Sequence, residues 1–168
     1  MNFILDVLFL ISTFFLMCKF RNHIVRYLGA KIRLSNYKLA LLISIPLIVI
    51  EESINTNDHG LLISIIIMFI LLLEIAILLW VVRRFKIKST TRPLLCFAIF
   101  GTLWELSVGG LVTIFSYPWL FIVFMVPFYV PMSYAYISFI PLEILRLNDK
   151  LKKHNNSIEA TPEGSPHG

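Results

Sequence analysis

Twenty-two consecutive residues, Leu61 to Val82, carry a single charge, Glu74. A helix crossing a hydrocarbon core of roughly 30 Å needs about 20 apolar residues, so this stretch alone is long enough to span a membrane. Lipid offers the backbone no hydrogen-bond partner, so a span of this kind must be helical. The rest of the chain repeats the pattern at lower contrast. Apolar runs at 3–18, 39–55, 93–115 and 119–142 are separated by short polar or basic segments. The expected fold is all-α: a polytopic integral membrane protein, a bundle of five transmembrane helices forming one domain over 1–153. The polar stretch 154–168, ending in TPEGSPHG, cannot build a core and is expected to be a disordered tail.

The charges fix an orientation. Residues 19–38 hold Lys19, Arg21, Arg26, Lys31, Arg33 and Lys38 with no acid, and 83–92 hold five basic residues with none. With five spans these two loops and the tail share one side. The positive-inside rule makes that side cytoplasmic, with the N-terminus outside. Phe20, Ile24, Leu28 and Ile32 recur every four residues among the bases, which predicts an interfacial helix over 20–33. The same segment also fits a plain basic loop. The net charge of +5 is spent in loops beside apolar spans, where it addresses anionic lipid headgroups rather than nucleic acid. Pro93 suits the first turn of the fourth span. Pro127, Pro131 and Pro141 are expected to kink the fifth. The host membrane is a cell membrane or, in a eukaryote, an endomembrane.

Acids inside such spans are rare and costly, about 2.5 kcal/mol or more each, and mark functional positions. Glu51 and Glu52 sit in ISIPLIVIEESIN, and Glu105 sits in FAIFGTLWELSVGG. Lys38 to Glu51 and Arg92 to Glu105 are both thirteen residues. Both helices leave the same edge, so both acids lie roughly 20 Å in and can meet. Gly101, Glu105 and Gly109 share one stripe, and small residues at that spacing let helices approach closely. Crowded carboxylates in low dielectric cannot both ionise cheaply, so one is expected to hold a proton. A protonated acid beside aromatic rings can protonate an alkene or epoxide, relay a proton, or donate a hydrogen bond to a lipid headgroup.

The candidate catalytic residues are therefore Glu51, Glu52 and Glu105. Asn55, one turn beyond Glu51, is a candidate substrate-binding residue, as are Trp104 beside Glu105 and Tyr129, Ser133 and Tyr136 at helical spacing on the fifth span. Glu74, flanked by Ile70, Leu71, Ile77 and Leu78, fits a structural role. Cys18 and Cys96 show no metal-ligand spacing, and the candidate site calls for no metal or cofactor. The partners expected are membrane lipids and an apolar small molecule. A membrane-protein partner that supplies basic residues to the acids is a further reading, because the spans contain none.

Pro46 followed by Glu51-Glu52 resembles the glutamate pair of CAAX-processing intramembrane proteases. Those families add polar residues on later spans, commonly histidine, whereas His23, His59, His154 and His167 lie outside the spans here. Trp104-Glu105 is similar to a Trp-Glu pair of small membrane-bound terpene cyclases, and paired intramembrane acids occur in the lycopene cyclase type. That resemblance implies acid chemistry on an isoprenoid or lipid. A proton-coupled transporter or channel subunit, and an assembly or scaffold subunit, use the same acids differently.

Overall fold

A computed structural model describes residues 3–32, 34–55, 61–107 and 125–146. Among the described residues there are five α-helices and no strand: α1 (Phe3–Lys31), α2 (Asn36–Asn55), α3 (Leu61–Arg84), α4 (Thr91–Ser107) and α5 (Val130–Leu145). A π-helical turn, Met125–Tyr129, leads directly into α5. Three segments, Val7–Lys31, Ile63–Arg84 and Pro127–Leu145, are long and apolar enough to cross a membrane, which marks a membrane protein. Helix α2 carries three charges, Lys38, Glu51 and Glu52, and the described part of α4 is 17 residues long. The continuation of the fourth span to 115, the turn at 117–119, the start of the fifth span, the turn at 56–60 and the tail lie outside the described residues.

The packing inverts the order expected of a water-soluble bundle. Helix α5 lies at the centre and packs on all four others, most extensively on α2 and α4. It is buried almost all round, from Val130 to Ile144, yet it carries Ser133, Tyr134, Tyr136, Ser138 and Glu143. The most apolar helix, α3, stays at the periphery and exposes Ile63, Ile66, Phe69, Leu73, Ile77 and Trp80. Polar side chains turned inward and large apolar ones turned outward suit a hydrocarbon surround.

Helix α1 departs from the sequence expectation. It runs unbroken for 29 residues, about 43 Å, and joins the stretches 3–18 and 20–33 that were read as separate elements. Gly29 does not interrupt it. The apolar stripe of its second half docks on the bundle: Val25 is buried, and Ile24, Leu28 and Ile32 pack against the core, whereas Phe20 is exposed. Tertiary contact along that stripe overrides the local weakness at glycine.

The prolines act at the head of α5. Pro131 has no N–H for the carbonyl of Pro127 four residues earlier, and its ring crowds that carbonyl. The chain widens there into the π turn that contains Pro127. Pro141 and Pro46 are accommodated inside α5 and α2.

Helix α3 ends in a tight C-terminal cap. Ile87 N–H donates to the Val82 carbonyl at 3.1 Å and Lys86 N–H to the Arg83 carbonyl at 3.4 Å. Lys86 takes φ 49°, the left-handed conformation that glycine normally supplies in this motif. Lys86→Gly is therefore expected to stabilise the protein by about 1 kcal/mol, read as a higher midpoint of thermal unfolding in detergent. An unchanged or lower midpoint contradicts it.

Candidate functional site

Two successive residues of α5 open the site. Side chains on neighbouring helix positions point about 100° apart, so Ser133 and Tyr134 address different partners. Ser133 turns to α2, and its Oγ donates to Glu51 Oε1 at 2.6 Å in a buried setting. Tyr134 turns to α4, and its Oη donates to Glu105 Oε1 at 3.2 Å. Glu51 and Glu105 thus meet the same turn of the central helix, one on each side.

Glu51 and Glu52 are 5% and 4% exposed, so the end of α2 is enclosed on two flanks at once. Carboxylates this deep are tolerated only with hydrogen-bond partners, and the Ser133 hydroxyl is one. Around Tyr134 the packing is tight. Phe97 meets its ring edge-on at 5.3 Å between centroids, with an interplanar angle of 67°. Gly101 forms the notch that admits the ring, because a Cβ at that position would overlap it. The small-residue stripe of α4 therefore accepts an aromatic side chain of α5. Gly109 lies outside the described residues.

Glu74 joins from α3. It lies within electrostatic range of Glu105 and of Tyr134, and Glu51 lies within range of Tyr134 as well. Glu74 Oε2 is buried with no hydrogen-bond partner among the described residues. The phenol of Tyr134 thus touches the acid of α4 and lies within longer electrostatic range of the acids of α2 and α3. The acids do not collapse onto one point: among the described residues no three His, Cys, Asp or Glu side chains converge as a metal-ligand set. Glu105 meets Tyr134 and Glu51 meets the neighbouring Ser133 instead.

The remaining candidates take these places. Tyr136 is buried, reaches Thr13 of α1, and lies within the field of Glu51. Tyr129 is buried one turn before Ser133. Trp104 is half-buried and stacks on the exposed ring of Phe100 at 6.4 Å, next to Glu105 in sequence but on the outer flank of α4. Asn55 is the last residue of α2, and its side chain is outside the described set.

Two residues were missed by sequence reasoning. Tyr134 is the direct partner of Glu105; the signal for it was Gly101, one turn before that acid, which calls for a large group on the facing helix. Glu143 is 3% exposed near the other end of α5, beyond the point where the fifth span was expected to stop. Thr90 Oγ1 donates to Glu143 Oε1 at 2.7 Å, and Arg146 Nη1 donates to Thr90 Oγ1 at 2.5 Å. Its sequence signal was Arg146, three residues on, a cation on the same face as the acid.

Comparison with protein-family models, with curated proteins and with solved structures returns no match, so what the chain does is argued from this constellation of acids and hydroxyls.

Proposed function

We propose that the chain is a five-span membrane protein, N-terminus outside and C-terminus cytoplasmic, whose intramembrane carboxylates bind an isoprenoid or other apolar lipid and act on it as acids. The observation that carries this reading is the Tyr134 phenol, hydrogen-bonded to Glu105, in the field of Glu74 and Glu51, with Phe97 against its ring. The chemistry follows from those groups. A carboxylic acid gives its proton to an alkene carbon, so a C–H bond forms and the adjacent carbon becomes cationic. Loss of a proton from a neighbouring carbon to a carboxylate closes the cycle as an isomerisation or cyclisation, with no change of oxidation state and the acid restored. Glu105 gives the proton as a carboxylic acid and takes one back as the carboxylate, so a single group serves both steps and ends as it began.

The test compares lipid extracts from cells with and without the gene, and from cells expressing Glu51→Gln or Glu105→Gln at equal protein level. A lipid that changes with the wild-type protein and reverts with either variant is expected. Identical lipid pools in all four samples overturn the enzyme reading.

A proton-coupled carrier is the second reading, and Glu143 is the observation that favours it. It places a buried acid at the basic end of the same central helix that meets Glu51 and Glu105 further along. Acids at successive depths are the usual stations of a proton path. Uptake driven by a pH gradient into reconstituted vesicles, lost in Glu143→Gln, would put this reading first.

A further inference from the structure

The start of α4 carries a hydroxyl released from its ordinary duty. Thr90 occupies the position before the helix, and its carbonyl accepts from Leu94 N–H at 3.1 Å. A threonine there normally caps the second or third helical N–H with its side chain. Here the third residue is Pro93, which has no N–H, and Arg92 N–H is met by Ser89 Oγ at 3.5 Å. The Thr90 hydroxyl turns away to α5 instead. It donates to Glu143 and accepts from Arg146, so it ties the head of α4 to the foot of α5.

Along the α4–α5 packing, two contacts anchor the helix at separate levels, the Gly101 notch against Tyr134 and the Thr90 tie. Two anchors at separate levels oppose a tilt of the helix that one alone would permit. Gly101 lies four residues from Glu105, about 6 Å, and Thr90 lies eleven residues on the other side, about 16 Å. Any pivot about Gly101 that frees the Thr90 end also swings Glu105 across the Tyr134 hydroxyl. At 3.2 Å that hydrogen bond has little slack.

We propose that Thr90, with Glu143 and Arg146, is a positioning clamp that sets the angle of α4 and thereby holds Glu105 against the Tyr134 phenol. Thr90 is a positioning residue and touches no reacting group. The inference rests on the reading of Glu105 as a working acid only for its functional meaning, because the geometry can be measured without any activity.

The experiment is infrared spectroscopy of the full-length protein in lipid nanodiscs. The Glu105 carboxyl band is assigned by its disappearance in Glu105→Gln, and its position without the phenol bond is given by Tyr134→Phe. Thr90→Val keeps the shape and removes both hydrogen bonds; its band is expected to move to the Tyr134→Phe position. Thr90→Ser restores the hydroxyl, and its band is expected to stay at the wild-type position. Arg146→Gln, at a half-buried site that leaves Thr90 bonded to Glu143, is expected to give a smaller shift in the same direction and serves if Thr90→Val does not fold. A Glu105 band at the wild-type position in Thr90→Val, or in Arg146→Gln if that variant stands in for it, overturns the proposal even if the unfolding midpoint falls. A shifted band together with lipid pools indifferent to Glu105→Gln leaves the clamp standing and removes the enzyme reading.

Discussion

Gly101→Ala is expected to lower the unfolding midpoint sharply, and Gly101→Val to prevent the bundle from assembling. A Cβ at residue 101 would sit within the ring of Tyr134, and that ring has nowhere to retreat. Phe97 closes its other side edge-on, and Tyr134 is itself 4% exposed. Overpacking a filled core costs about 1–3 kcal/mol for a small addition. The cost here falls at the upper end, because the clash is with a rigid ring on the central helix rather than with the end of a flexible chain. Helix association in lipid draws on close packing more than on the hydrophobic effect, so a lost notch has no ready substitute. A double-mutant cycle isolates the cause. Tyr134→Leu removes the ring, and Gly101→Ala/Tyr134→Leu is expected to be more stable than Gly101→Ala alone. Tyr134→Phe keeps the ring and gives no such rescue. Strict additivity of the two changes, or a neutral Gly101→Ala, would show that the notch does not determine the α4–α5 approach.

The all-helical, membrane-crossing character was legible because it is written in run length: α3 carries a single charge between Leu61 and Val82, and no soluble packing needs so long an apolar run. What the runs could not reveal is which helix stands inside. Hydropathy ranks α3 as the strongest membrane segment, yet α3 is peripheral and the more polar α5 is central. Periodicity could not separate these cases, because in lipid the apolar face points outward. The continuity of α1 across residues 18–20 was not legible for a related reason. A basic, glycine-containing stretch looks like a loop or an interfacial helix until Ile24, Val25 and Leu28 have a bundle to dock on. At the site, counting residues from the basic edge was enough to bring Glu51 and Glu105 to one level. It could not supply Tyr134, which stands between them, or Thr90, whose role depends on a proline three residues later and an acid 53 residues away.

Glu51→Gln is expected to fold like the wild type while losing the chemistry, and Ser133→Ala is expected to do the reverse. The two residues share one buried hydrogen bond, with Ser133 Oγ donating to Glu51 Oε1 at 2.6 Å, so a change at either end tests it differently. Glutamine keeps the carbonyl oxygen that accepts the serine proton and matches glutamate in volume. The bond and the packing survive, and the unfolding midpoint is expected to stay close to wild type. The exchangeable acid proton is gone, and removal of a general acid slows turnover by about 10²–10⁴-fold. Alanine at 133 leaves the carboxyl in place without that donor. Loss of one buried hydrogen bond costs about 0.5–1.5 kcal/mol, so the midpoint is expected to fall modestly, whereas lipid conversion per folded molecule is expected to change far less. Midpoint and conversion are measured on the same preparations, with conversion normalised to folded protein. If conversion in both variants simply tracks the folded fraction, Glu51 is a structural strut of the α2–α5 contact, and the acid chemistry must be assigned to Glu105 alone or given up.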